Sequence, residues 1–598
     1  MNRKRPVRIA NCSGATGDGP FALRRVVRDG PVDIVTADYL AEMNIAWLAL
    51  EQKHDPSKGY DPGFLRQLDC ETAHTIAARG IKVVHNGGAL NPKGLAAAVE
   101  KQLASYGVTS LKIACVEGDN VMSQLESLQQ PGQTPHLDVK GRQLSDLEAP
   151  IISANAYIGM GGIVAALEAG ADIVICGRCC DASPVMGAAA WWHGWKQTQW
   201  NVLAQSLIAG HILECGCYAT GGNFSGFKTI KNNWDQGFPV AEIASDGTFD
   251  VFLQQGARGL VSQDTITAQL VYEIQGPYYL NPDVVADISN VKITPLGKNR
   301  VSVSGITGRP PPPTTKLAVC TTGGYQMEVF FFATGLDVAE KLADMRSAMA
   351  ELVPNRAAYR VLRIDQYGTP QDDPSTEALG SCLFRVFAQA DKQETFKTLQ
   401  MFLTGYSLGG YCGLHLCMDL RMLHPRPIIS YEPFTIPYAS LDVRANIEGK
   451  TIPILPPKTT EVFQGQKFEN NSPATDLARF GPTMKVPLGH RVHARSGDKG
   501  SNANVGFWVA SDEEYEWLRA FLSVDRMKAL LGDEYDPSYA IERFELPNLR
   551  CVHFLVKGIL EGGISTGHRV DGLAKSFGEF LRARHVDMPT KFLQQARL

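Results

Sequence analysis

At 598 residues the chain exceeds what one hydrophobic core serves, so about two or three domains are expected. With 44% apolar and 20% charged residues it has the composition of an ordinary globular protein, not of a disordered or fibrous one. The net charge of −4, with neither sign concentrated in one block, argues against nucleic acid or a membrane surface as partner.

Thirteen cysteines, several of them inside apolar runs (Cys115, Cys176, Cys320), follow no cationic-then-apolar leader, the pattern of a reduced intracellular protein. No uninterrupted apolar run reaches roughly 18 residues, so no transmembrane helix is expected. The terminal Ala596-Arg597-Leu598 has the small-basic-leucine form of the peroxisomal address whose prototype is Ser-Lys-Leu. Read that way the protein is peroxisomal in a eukaryote, and otherwise cytoplasmic.

In chain order the first half alternates strand and helix. Val7 to Asn11 reads as a strand, followed by the glycine-rich turn Cys12 to Gly19. Val32 to Thr36 is a strand, Asp38 to Glu51 a helix, Pro62 to Arg79 a helix, and Ile81 to His85 a strand. Pro92 to Tyr106 is a helix and Leu111 to Val116 a strand. From Ser153 the spacing predicts a polar turn, a small-residue helix from Gly161 to Ala169, and a buried strand from Ala171 to Cys176. This order implies an α/β fold: a mostly parallel sheet with helices on both faces and right-handed crossovers.

Parallel strands present their carboxyl ends on one edge, where ligands bind in such sheets. Ser13 and Asp18 follow the first strand, Asp38 the second, and His85 and Asn86 the third. Glu117 and Asp119 follow the fourth, and Arg178 and Asp181 the fifth. Singly, Asp18 reads as a turn residue and Asp38 as a helix cap; together the set forms a candidate rim. The turn Cys12 to Gly19 lacks both the Walker lysine and the dinucleotide spacing, so NAD is not expected; its amides could cradle an anion or merely turn the chain.

Further on, Trp191, Trp192 and Trp195 fall in one helix and Trp200 to Gly210 in another. His211 and Glu214 read as site residues or as a buried hydrogen-bonded pair. Cys176, Cys179, Cys180, Cys215 and Cys217 lack the paired knuckles of structural zinc. Val261 to Tyr272 reads as a helix, Val291 to Thr294 and Arg300 to Ser304 as hairpin strands, and Pro310 to Pro313 as extended. A helix from Val338 to Leu352, a strand from Cys382 to Phe387 and a helix from Lys392 to Tyr406 make a second layer. Residues 1–452 are thus one α/β region of two lobes, 1–260 and 261–452.

Prolines among polar residues mark 453–483 as a linker. Residues 484–598 read as a small α+β, ferredoxin-like unit without the cysteines of an iron–sulfur centre. Its strands are Lys485 to Ala494, Val505 to Val509, Tyr539 to Phe544 and Arg550 to Leu555, with helices from Asp512 to Leu531 and Arg569 to Arg584. The polar stretch Arg495 to Asn504 is either an anion-binding loop using Arg495 and Lys499 or a long hairpin.

Several motifs in order are shared with a known family: Gly14-x-x-Gly-Asp18, Gly59-Tyr-Asp-Pro62, Asn86-Gly-Gly-Ala-Leu-Asn-Pro92 and Glu117-Gly-Asp-Asn-Val121. Ser153-Ala-Asn-Ala-Tyr157, Gly170 to Arg178, Asp181-Ala-Ser183 and Gly210 to Gly216 continue the series. The chain resembles the acyclic terpene utilisation (AtuA-type) family, and Ala494 to Gly500 with Asn502 to Gly506 resembles its terminal ferredoxin-fold domain. Cys12 and Cys179-Cys180 depart from the family's usual residues.

The resemblance implies catabolism of branched or isoprenoid acids through coenzyme A thioesters. The expected protein is an enzyme, a carbon–carbon lyase or hydro-lyase, acting on an acyl-coenzyme A or related carboxylic acid. Asp181 or Asp119 would be general base, Arg178 the carboxylate or enolate clamp, and His85 the alternative proton carrier. Ser13, Asn86, Asn155, Arg495 and Lys499 would bind substrate, and Asp18 and Glu117 are candidate oxygen ligands for a divalent metal. Alternatives are a hydrolase or acyl transferase using Ser13 or Ser183, though no Gly-x-Ser-x-Gly elbow is present, and a non-catalytic scaffold subunit. A homo-oligomer is the default state for a soluble enzyme of this size.

Overall fold

The computed structural model describes residues 5–16, 18–130, 132–231, 234–470, 473 and 475–594. Ala596-Arg597-Leu598 lies outside the described residues. The centre is a parallel sheet of strands β1 (Val7–Asn11), β2 (Ile34–Ala37), β3 (Lys82–His85) and β4 (Ile113–Glu117), with β5 (Ile151–Ala156) outside it and β6 (Ile173–Cys176) inside, in spatial order β1-β2-β3-β6-β4. Antiparallel strands extend both edges to eleven: Pro239–Ile243, Phe249–Leu253, Arg300–Ser304 and Lys292–Gly297 beyond β1, and Arg444–Ile447 and Lys450–Pro453 beyond β4.

Successive residues of the central strands alternate between two cores. Ile9, Ile34, Val84 and Val174 face the helices Gly161–Glu168, Ser183–His193 and Trp200–Glu214. Ala10, Val35, Val83 and Ile175 face Ala22–Asp29, Cys70–Arg79 and Pro92–Ser105. Burial on both faces explains the unbroken apolar runs. Within the described residues no helix is long and apolar enough to cross a membrane.

β5 is not a polar turn. It pairs antiparallel with the 21-residue strand Thr314–Thr334, which also binds Ser381–Ala390 and Arg426–Pro437 in a second sheet. The helices Val338–Leu352 and Lys397–Gly409 cover that sheet.

Several expected helices shorten where side chains cap the backbone. The stretch 62–79 splits because Asp69 accepts from the Thr72 amide and starts a new helix. The second helix begins at Glu42 rather than Asp38, because Asp38 closes a turn onto the Leu40 amide. Ser262 caps Gln263–Leu270, and the helix expected from Arg569 spans only Phe577–Ala583, because Asp571 accepts the amides of Lys575 and Ser576.

No helix or strand lies among the described residues between Pro453 and Leu477. The carboxyl-terminal unit is ferredoxin-like: a four-stranded antiparallel sheet ordered His493–Lys499, Asn502–Trp508, Cys551–Lys557, Ala540–Leu546 under helices with their own core. Arg495 to Asn504 is therefore a hairpin, not a loop. It docks on the segment after Gln263–Leu270, with Asn504 Nδ2 donating to the Val271 carbonyl at 2.7 Å and Asn504 Oδ1 accepting from the Glu273 amide at 3.1 Å.

Candidate functional site

The carboxyl ends of β2 and β6 bring three charged side chains together. Arg178 is 2% exposed, donates through Nη2 to Asp181 Oδ1 at 2.5 Å and through Nη1 to the Leu40 carbonyl at 3.1 Å, and stacks 4.1 Å from the centre of the Tyr157 ring. Asp38 accepts from Asn86 Nδ2 at 2.5 Å. Burial, then the Asp181 charge, push the Asp38 carboxyl well above the usual range, and Arg178 opposes them. Arg178 thus fixes Asp181 beside Asp38 and is itself occupied by protein partners, so it positions a carboxylate rather than standing open as a clamp.

Beside this cluster, the last turn of Trp200–Glu214 supplies a second pair. Glu214 Oε1 and His211 Nδ1 are 3.0 Å apart and both residues are buried. His211 Nε2 lies 3.3 Å from the Leu270 carbonyl, which can only accept, so Nε2 carries a hydrogen; in the neutral ring Nδ1 then presents its lone pair to Glu214, and in the protonated ring it donates to it. Glu214 Oε2 is buried without a hydrogen-bond partner. Burial lifts the carboxyl to about 7; His211 opposes the shift, Asp181 adds to it and Lys499 opposes it. Tyr279 interacts with both Glu214 and Asp181, and burial first, then those charges, push its phenol up, so it stays a hydrogen-bond donor.

The first strand builds this corner. Asn11 Nδ2 donates to the carbonyls of Leu213 and Glu214 at 2.5 and 2.8 Å. A Cβ at Gly14 would stand 2.7 Å from the Glu214 carbonyl oxygen, so only glycine lets the turn approach the helix end. The amide of Gly14 donates to Asp18 at 2.6 Å, so a side chain of the protein already fills the turn that could have held an anion.

The carboxyl-terminal hairpin closes the corner from the other side. Lys499 Nζ is 3.4 Å and Lys575 Nζ 3.5 Å from the two oxygens of Glu273. Arg495 lies over the rings of Tyr218 and Tyr272. Arg495 and Lys499, singled out in the sequence, thus lie beside Tyr218, Tyr272 and Glu273, and Lys499 acts on the Glu214 carboxyl. Glu273 and Lys575 were not candidates: Lys575 sits in a stretch that reads as helix, and Glu273 directly follows the expected helix Val261 to Tyr272.

Other expected residues serve the scaffold. Asp119 is 2% exposed and accepts from the Arg178 amide at 2.9 Å and Asn155 Nδ2 at 2.8 Å. Burial raises its carboxyl to about 6. A Cβ at Gly177 would lie 2.1 Å from its Oδ1, so Asp119 is wedged under the turn that carries Arg178. Asp119 and Asn155 are positioning residues, not a base and a substrate ligand. Asn86 is likewise spent, holding Asp38 and accepting from the Tyr39 amide.

His85 is fully buried against Phe64 and Tyr39, at ring separations of 4.3 and 5.6 Å, and accepts from the Gly87 amide. Burial drops it to about 3, so it is neutral and cannot shuttle protons near neutrality. Ser13 is fully buried and donates to the Ala15 carbonyl. Ser183 is fully buried and accepts from Asn281 Nδ2. Neither is set up as a nucleophile.

Asp18 and Glu117 do not share a metal ion. Asp18 lies in the turn after β1 and Glu117 ends β4, strands four sheet positions or about 19 Å apart; Asp18 accepts from the Gly14 amide and Glu117 pairs with Lys93 at 2.8 Å. Among the described residues, no group of three or more His, Cys, Asp or Glu stands close enough to hold a metal. Cavities of about 460 Å³ beside Thr321–Gly324 and about 260 Å³ beside Phe252 and Arg300 lie away from this corner.

Residues 7–447 match the model of a family described as acyclic terpene utilisation family protein AtuA, and residues 486–587 that of an AtuA ferredoxin-like domain. Comparison with curated proteins and with solved structures gave no match.

Proposed function

From the premise that the chain belongs to the acyclic terpene utilisation family, we propose that it is an enzyme of branched or isoprenoid acid catabolism. Its substrate in this reading is a carboxylic acid or its coenzyme A thioester, and the reaction is carbon–carbon lysis or hydration. Both reactions move a proton and pass through an enolate, which needs a proton carrier near neutrality and positive groups for the oxygen.

The observation that carries this reading is the Glu214–His211 pair. A carboxyl that titrates at about 7 and shares one proton with an imidazole can take or give that proton at working pH. Asp181, held by Arg178, stands as the second carboxylate beside Asp38. Tyr279, Lys499 of the hairpin and Lys575 supply donors for developing negative charge. Among the described residues of this corner, Ser13 and Ser183 are buried in protein hydrogen bonds and burial pushes the Cys215 thiol well up, which favours acid–base chemistry over a hydrolase nucleophile.

The test is incubation with a panel of branched 3-hydroxyacyl- and enoyl-coenzyme A thioesters, followed by mass spectrometry of products. Wild-type protein should cleave or hydrate at least one of them, and Glu214→Gln should lower turnover about 100-fold. Turnover unchanged in Glu214→Gln, or none of any thioester by the wild type, would sink the proposal.

A further inference from the structure

Two cations of the carboxyl-terminal unit share one aromatic cradle with residues of the main α/β region. The Arg495 guanidinium lies 4.1 Å from the centre of the Tyr218 ring and 4.5 Å from that of Tyr272. Lys575 Nζ lies 4.2 Å from the Tyr272 ring centre and 5.6 Å from that of Tyr218. The two rings meet edge to face with centres 5.4 Å apart. Two like charges held against the same pair of rings repel, and ring faces only partly offset that.

The hydrogen bonding of Arg495 is incomplete. It is 4% exposed, and Nη1 donates to the Asn223 carbonyl at 2.8 Å. Tyr218 engages it through a side-chain hydrogen bond and charge, while Nη2 is buried with no hydrogen-bond partner. Glu273 already serves Lys575 and Lys499. A buried guanidinium with a spare N–H is costly unless something accepts it.

The cradle adjoins the proton-transfer pair. Cys215 follows Glu214 directly in the chain and interacts with both Lys575 and Arg495, while Lys499 acts on Glu214. An anionic group accepting from Arg495 Nη2 and Lys575 Nζ would therefore sit next to the site of chemistry.

We infer that Arg495 and Lys575 form an oxyanion pocket, closed by Tyr218 and Tyr272, that anchors the carboxylate or phosphate group of the molecule on which the Glu214–His211 pair acts. This rests on the reading of that pair as catalytic. It makes the ferredoxin-like unit a part of the substrate site: without that unit the pair would have no anchor for the anion.

Calorimetric titration of the full chain tests the pocket without turnover, so its failure is separable from failure of the Glu214 chemistry. The probes are glutarate and inorganic phosphate at low ionic strength; tighter glutarate binding identifies a carboxylate as the natural group, tighter phosphate binding a phosphoryl. Lys575→Gln and Arg495→Lys should each weaken binding about tenfold or more. Thermal unfolding of each variant checks the fold. Should Arg495→Lys fail to fold, Lys575→Gln, whose side chain is 25% exposed, decides the matter. Equal affinity in Lys575→Gln and wild type, or binding of neither probe to the wild type, would overturn the inference.

Discussion

Glu214 and His211 stand one helical turn apart with Oε1 and Nδ1 separated by 3.0 Å, and the other imidazole nitrogen is tied to the Leu270 carbonyl. That second bond fixes the tautomer, so the proton between the pair belongs to the carboxyl when both groups are neutral. Burial of the carboxylate is the main reason the carboxyl holds its proton to about pH 7; the imidazole opposes that shift and the Asp181 charge adds to it.

This proton makes stability depend on pH. Between about pH 4.3, where an unfolded glutamate ionises, and about 7 the folded protein binds a proton that the unfolded chain has released. Stability must therefore fall as pH rises through that window, by an amount on the order of 3 kcal/mol for this group. Glu214→Gln should reduce that slope by Glu214's own share, leaving the part due to Asp119 and Asp283, each lifted to about 6 by burial, and to Asp38, also raised by burial. Urea unfolding of both proteins at about pH 5 and about pH 8 measures it; identical slopes would show that Glu214 is already ionised in the folded state.

Asp119→Ala removes the acceptor of the Arg178 amide and of Asn155 Nδ2. Leaving buried donors unpaired should cost about 2–5 kcal/mol, and release of the Arg178 turn should abolish turnover. Asp119→Asn keeps one acceptor oxygen and should recover most of the stability. The checks are urea unfolding and the thioester assay; a general base would instead lose activity in Asp119→Asn with the fold untouched.

His85→Phe keeps the aromatic packing with Phe64 and Tyr39 but strips the acceptor from the Gly87 amide. The expected loss is about 1–3 kcal/mol of stability with no change in the shape of the pH–rate profile. A shifted or missing limb would return His85 to the chemistry.

The parallel core was legible because strands buried on both faces leave unbroken apolar runs, and the rule that ligands gather at strand ends led to Asp38, Arg178 and Asp181. Which of those groups stay open was not legible. Asp119, Asn86 and His85 occupy the same edge as Asp181 but point into it, and only packing tells a residue wedged under Gly177 from one facing a ligand. His211 and Glu214 read as site residues or a buried pair beyond a helix expected to end at Gly210; the helix in fact runs on to Glu214 and places them one turn apart. Lys575 gave no local signal: it reaches the site because Asp571 unwinds the chain ahead of Phe577 and because a unit hundreds of residues away docks on Val271 to Glu273. The strand Thr314–Thr334 is not among the expected elements; Gly323 and Gly324 within it mark a bulge between Thr322 and Tyr325.

Infrared titration of the carboxyl groups, comparing wild type with Glu214→Gln, tests the central claim most directly. The difference should contain a protonated-carboxyl band that disappears with a midpoint near pH 7. A Glu214 band of the ionised form already present at about pH 5 would contradict the shared-proton pair, and with it the acid–base reading of the site.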